Sequence, residues 1–171
     1  MLDPVEETKE QIRRVSKKHK TDLNYRVFIL GPYDPLSCKD LLTGCRDRLR
    51  NKYKITAFLE DDIHISFDQT KLCYELAGIS ELSTFIIPSN FKSDGWKTEI
   101  GQLVPMYSSK IAIYYESLRR FPITTKNLLA SYQTYQSQLI EHENMQSSVE
   151  FVCNHINTIL LKLHISGTSR L

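Results

Sequence analysis

An α/β fold with helices on both faces of a mainly parallel sheet is what the sequence predicts, on three observations. Short runs at residues 25–30, 55–59, 84–88 and 110–115 are apolar on both faces, as strands covered on both sides require. After each of the first three, turn residues lead into a segment whose apolar positions recur every three or four residues, the period of a helix packed along one stripe. Strands alternating with such helices connect by right-handed crossovers rather than hairpins. The expected architecture is a Rossmann-like (flavodoxin-like) three-layer fold, its mainly parallel sheet having four to five strands, followed by a long C-terminal helical segment.

Residues 1–24 are polar, with Val5, Ile12 and Val15 as internal aliphatic anchors, and read as a frayed or peripheral helix. The first strand, 25–30, breaks sharply at Gly31-Pro32-Tyr33. Ser37 followed by Asp40 resembles a capping box, after which Leu41, Leu42, Cys45 and Leu49 fall at helical spacing. The second strand ends in Glu60-Asp61-Asp62, and Asp68 is placed to cap a helix through Leu72, Leu76 and Ala77 to Gly78. The third strand, 84–88, leads through a polar loop to a helix that opens at Asp94-Gly95 and carries Glu99 one turn in. Residues 110–115 make the fourth strand, so the α/β domain spans 25–122.

From Ile123 to Ser166 there is neither glycine nor proline. Leu128, Tyr132, Tyr135, Leu139, His142, Met145 or Gln146, Val149, Val152, Ile156, Ile159 and Leu163 follow at three- and four-residue steps. The spacing predicts one long helix, or two packed helices with a break near 141–148, within a segment 123–171. The stripe either packs on the sheet or joins copies of the chain into a homo-oligomer.

At 171 residues the chain suits one domain with a sizeable core. A net charge of +2 gives no overall field that would draw a nucleic acid. The basic clusters at 9–20 and 46–54 lack interleaved aromatics and read as solvated helix faces. Cys38, Cys45, Cys73 and Cys153 form no CxxC pair and have no histidine at zinc-ligand spacing, which signals neither a disulfide framework nor a structural metal and fits a reducing, cytoplasmic setting. The start is acidic with no apolar leader core, and no run reaches the roughly 18 apolar residues of a membrane span. His64, His142, His155 and His164 stand at no spacing with a serine or cysteine that suggests a triad, and no glycine-rich phosphate loop is present.

Two motifs set the functional expectation. Asp94-Gly95-Trp96-Lys97-Thr98-Glu99-Ile100-Gly101 puts a carboxylate on a helix that a glycine-bearing turn opens, and Phe28-Ile29-Leu30-Gly31-Pro32-Tyr33 is a strand ending in a Gly-Pro-aromatic turn. With these motifs, residues 25–115 resemble nucleoside 2-deoxyribosyltransferases and their N-glycosidase relatives. Trp96 ahead of Glu99 bears a more distant resemblance to TIR-type domains that cleave NAD, with a gap one residue shorter than is usual in that group.

The resemblance implies that Glu99 attacks the anomeric carbon as the base departs, forming a glycosyl-enzyme ester that water or another base resolves. The positive end of its helix would keep it ionised. In this reading Tyr33 orients the carboxylate, and Asp61 or Asp62 binds sugar hydroxyls or protonates the leaving base, Asp62 being the catalytic candidate. Gly31 and Pro32 shape the turn. Ser89, Asn90, Ser93, Asp94 and Gly95 line the floor against sugar or phosphate, and Trp96 stacks on the base. No cofactor or metal is implied; the expected ligand is a nucleoside, a nucleotide or an NAD-type molecule. The alternatives are a non-catalytic nucleotide-sensing or self-assembling module of the same fold, or a TIR-like NAD-cleaving enzyme. Structurally, Glu99 could be only a favourable carboxylate near a helix start, Glu60-Asp61-Asp62 a solvated patch, and Trp96 packing at the sheet edge.

Overall fold

A computed structural model of the chain describes residues 3–65, 68–132, 138–144 and 148–167. Its helices are α1 (Pro4–His19), α2 (Leu36–Tyr53), α3 (Gln69–Ile79), α4 (Gly95–Tyr107), α5 (Ile123–Ser131) and α6 (Val149–Gly167). Its strands are β1 (Asp22–Leu30), β2 (Ile55–Phe58), β3 (Leu82–Ile87), β4 (Ile111–Glu116) and β5 (Gln138–His142). They form one five-stranded sheet, all parallel, in the order β2-β1-β3-β4-β5. This is the three-layer Rossmann-like arrangement.

Every residue of β2, β3 and β4 is buried, which is why these runs lack the alternation of a half-exposed strand. Successive side chains still point to opposite faces. Phe28, Leu30, Phe85, Ile87 and Ile113 pack with Ile12, Leu76, Ile100 and Leu129, so α1, α3, α4 and α5 share one face. Val27, Ile29, Ile86, Ala112 and Tyr114 meet Leu42 and Leu49 of α2 and Val152, Ile156 and Leu160 of α6 on the other.

Two local expectations are revised and a third holds. The first helix is anchored rather than frayed: Asp3 accepts the Val5 amide, and one stripe of Thr8, Ile12, Val15 and Ser16 is buried. A narrow stripe suffices to seat a helix even when its remaining faces are polar. Ser37 does not cap α2. Pro35, at φ −68°, precedes the helix, and no side chain caps it; the Ser37 hydroxyl instead accepts from Asn90 Nδ2 at 3.2 Å. Asp68 caps α3 as expected, accepting the Thr70 amide at 3.0 Å.

The largest revision concerns the C-terminal segment, which is neither one helix nor a simple pair. After α5 the chain lays β5 alongside β4, from Ala112↔Gln138 to Glu116↔His142, before α6 begins. β4 is wholly buried, and without β5 its outer N–H and C=O groups would lack partners. The break between β5 and α6 falls within the expected 141–148. Tyr135, Met145 and Gln146 of the predicted stripe lie outside the described residues. In α6 the stripe is spent within the chain, Val152, Cys153, Ile156 and Leu160 being fully buried against the sheet and α2. Among the described residues no helix is long and apolar enough to cross a membrane.

Candidate functional site

β1 and β3 are neighbours whose following helices, α2 and α4, leave to opposite faces of the sheet. A crevice therefore opens beyond their carboxyl ends, at the switch point where open α/β sheets bind ligands. It holds a cleft of about 150 Å³ whose walls include Gly31, Tyr33, Glu60, Ser93, Trp96 and Glu99. Gly31 is required by space: a Cβ there would stand 2.5 Å from the Ile86 carbonyl oxygen and 2.9 Å from Leu42 Cδ2. Pro32 is buried behind it.

Glu99 enters from the second turn of α4, whose N-cap, Asp94, makes no side-chain capping bond. Burial, and then the Glu60 carboxylate, push its pKa up to about 7. The helix terminus does not hold it fully ionised as the sequence suggested, because the macrodipole fades beyond the first turn while desolvation acts on the whole group. Cys73, buried on α3, joins the two acids: its Sγ lies 3.6 Å from Glu60 Oε2 and 4.0 Å from Glu99 Oε1. Burial and the charges of Glu99 and Glu60 hold that thiol well above its ordinary pKa. The Tyr33 phenol is raised likewise, by burial first and then by Asp61, Glu60 and Glu99. It remains a proton donor at any physiological pH.

Comparison of the chain with family models, with curated proteins and with solved structures finds no match. What the cleft can do follows from its own groups, two carboxyls and a phenol, and from the buried Cys73 thiol that touches both carboxyls. One reactive oxygen or sulfur from each of Glu60, Cys73 and Glu99 lies within 4.8 Å of the others. A cation held by all three would need the thiol ionised.

The other predicted residues divide. Ser93 lines the cleft, and its Oγ accepts the Asp34 amide at 3.4 Å. Gly95 lines it too and has open space around its Cβ position. Trp96 forms wall rather than a stacking plate. It is 2% exposed, meets Phe91 edge-on at 5.3 Å, and its Nε1 has no hydrogen-bond partner among the described residues. Asp94 is 70% exposed at its side chain and pairs with Lys97 at 2.9 Å.

Asp61, Asp62, Ser89 and Asn90 are not among the cleft-lining residues. Asp62 accepts from Arg46 Nη1 at 3.0 Å, Arg50 Nη2 at 3.1 Å and the Leu59 amide at 2.9 Å, so it is fastened to α2 rather than turned to the cleft. Asp61 accepts from Lys39 at 2.6 Å. Ser89 donates to the buried Glu116 at 2.9 Å, and Asn90 joins Ser37 and Cys38. These polar side chains at a strand end bind the chain to itself.

Sequence reasoning passed over Glu60 and Cys73. Glu60 was visible as the first of three acids, but only the 3₁₀ turn Glu60–Asp62 decides which of them faces the cleft. Cys73 sits on the buried stripe of α3 beside Leu72 and Leu76 and carries no signal of its own. A larger cleft, about 280 Å³, lies at the amino edge of the sheet and includes Arg26 and Lys110. Both are held by carbonyls at the end of α3: Arg26 Nε by Ile79 at 2.7 Å, and Lys110 by Ser80 at 3.3 Å. They complete the unpaired carbonyls of that helix end.

Proposed function

We propose that the chain cleaves or transfers at the N-glycosidic bond of a nucleoside or nucleotide, with Glu99 as nucleophile. The observation that carries this reading is the Glu99 carboxyl on the wall of the switch-point cleft, with a second carboxyl oxygen inside 4.8 Å. Retaining glycosidases place their two carboxyl groups about 5–5.5 Å apart, whereas inverting ones need about 6.5–9.5 Å to admit a water between them. The short spacing favours a covalent glycosyl-enzyme ester over direct attack by water. The resemblance of residues 25–115 to nucleoside 2-deoxyribosyltransferases supports the same chemistry.

In the reaction the ionised Glu99 attacks the anomeric carbon as the C–N bond breaks, and Tyr33, which stays protonated, offers its hydroxyl to the carboxylate or the sugar. The four free, buried cysteines suit a reducing, cytoplasmic setting. The test is base release, followed by chromatography, from a panel of deoxynucleosides, nucleoside monophosphates and NAD. Wild type releases base from at least one of them, and Glu99→Gln reduces that release about 10³-fold or more. Undiminished turnover in the variant rejects the assignment.

One observation favours a second reading, a ligand sensor without turnover. The cleft, at about 150 Å³, is smaller than the roughly 300–1,000 Å³ of most small-molecule sites, and Trp96 fills part of its wall. In that reading, ligand binding is relayed by self-association through the outer face of α6, where Phe151, Leu161 and Ile165 are exposed. Light scattering distinguishes it: a monomer at every concentration, with and without nucleotide, removes this role.

A further inference from the structure

We propose that Glu60, rather than either aspartate after it, carries the proton that the departing base takes up, with the Cys73 thiol as the bridge between Glu60 and Glu99. This rests on the glycosidic-bond reading above and adds to it the second working residue. The 3₁₀ turn at the end of β2 separates three consecutive acids. Asp61 goes to Lys39 and Asp62 to Arg46 and Arg50, while Glu60 goes to the cleft and the Cys73 thiol. The same thiol touches Glu99. Trp96, which lines the same cleft, has a buried Nε1 without a hydrogen-bond partner among the described residues. A buried N–H without an acceptor is the group that a ligand heteroatom would satisfy.

The proton sequence closes on itself. Burial and the Glu60 charge favour the protonated form of Glu99, and attack requires its proton to be elsewhere. Moving that proton to Glu60, by way of the sulfur in contact with both, makes a nucleophile of Glu99 and an acid of Glu60 in one transfer. Glu99 then bonds to the anomeric carbon, the C–N bond breaks with its electron pair going to the base nitrogen, and that nitrogen takes the proton from Glu60. In the second half Glu60, now a carboxylate, takes a proton from water as the water oxygen bonds to the anomeric carbon. The ester bond to Glu99 breaks with its electron pair returning to the carboxylate. Glu60 again carries the proton and Glu99 is again a carboxylate, the pair of forms from which the attack began, with free base and free sugar as products.

The experiment compares wild type with Glu60→Gln on deoxyguanosine and on its 7-methyl derivative, whose cationic base leaves without taking a proton. Glu60→Gln should lose about 10²–10⁴-fold on deoxyguanosine and less than about tenfold on the methylated substrate. An equal loss on both, or none on either, overturns the role. A second readout needs no turnover: the carboxyl carbon of Glu99, followed by ¹³C NMR, should titrate near pH 7 in wild type and at lower pH in Glu60→Gln. An unmoved midpoint overturns the pairing even if the variant is slow. Base release from neither substrate by wild type overturns Glu60's role in catalysis. Silence from wild type across deoxynucleosides, nucleoside monophosphates and NAD, together with a shifted midpoint, would show that the glycosidic reading had failed while the pairing held.

Discussion

Replacing Asp62 by alanine separates a structural from a catalytic reading of the acidic strand end. Asp62 holds the guanidinium of Arg50, whose side chain is 3% exposed, at 3.1 Å. Arg50 is otherwise satisfied by neutral acceptors, the Ala57 carbonyl at 2.7 Å and His19 Nε2 at 3.2 Å. Burial, then the Arg50 charge, lowers the His19 pKa, which keeps its ring neutral and able to accept. Removing the carboxylate leaves a buried cation without its counter-charge, a change that costs about 3–5 kcal/mol. The Leu59 amide loses its acceptor as well. Against a domain stability of about 5–15 kcal/mol, and at about 2–4 °C per kcal/mol for a chain of this size, the melting temperature should fall by roughly 6–20 °C. Thermal melts by circular dichroism at pH 7 give the number. A second variant, Asp62→Ala with Arg50→Met, should recover most of the loss because the stranded charge is gone. An Asp62→Ala protein that melts within about 2 °C of wild type yet releases no base would refute this account and return Asp62 to the catalytic set.

Two further outcomes follow from the cleft. Gly31→Ala places a Cβ 2.5 Å from a backbone oxygen of β3; since backbone cannot step aside, the ends of β1 and β3 must part, costing about 1–3 kcal/mol in urea unfolding, and a neutral substitution would show that this turn has slack. Glu99→Gln should stabilise the protein in a pH-dependent way. With its folded pKa raised to about 7 from 4.5, Glu99 favours the folded state fully only below about pH 4.5, and that contribution is lost as pH rises through 7. Glu99→Gln and wild type should therefore match near pH 4 and differ by about 3 kcal/mol at pH 8, the variant being the more stable; parallel stability profiles would show that burial does not perturb Glu99.

How far the sequence could be read depends on whether local chemistry or long-range packing decides each feature. β1 to β4 were legible because two-sided burial writes a continuous apolar run. The Asp68 cap was legible because a cap acts over two residues. Gly31 was identified at the sharp end of the first strand, though its reason, an approach to Ile86 and Leu42, is a tertiary one. β5 was hidden: Leu139 and His142 also satisfy a helical step, and only the open edge of β4 selects the strand. The direction in which Glu60, Asp61 and Asp62 point was equally hidden, because one short turn sends them to three different places. Trp96 could be read either as a stacking surface or as packing at the sheet edge, and the choice lay in Phe91 and the core beneath α4, which take up its ring.

The absence of any hairpin from the sheet has a bearing on how the chain acquires its cleft. In a meander each strand finds its partner across a tight turn, but here every ladder joins segments with a helix or more between them, and the walls that meet at Glu99 depend on the longest of these, Val27↔Leu82 to Leu30↔Phe85. Such pairings must close a long loop before any contact compensates for it, which slows folding. The crevice consequently has no local precursor: β1 and Gly31 are made early in synthesis and wait for β3 and α4 to bring the wall that carries Glu99. A destabilised edge helix or terminal strand leaves this central junction intact, whereas loss of the β1–β3 register removes fold and cleft together.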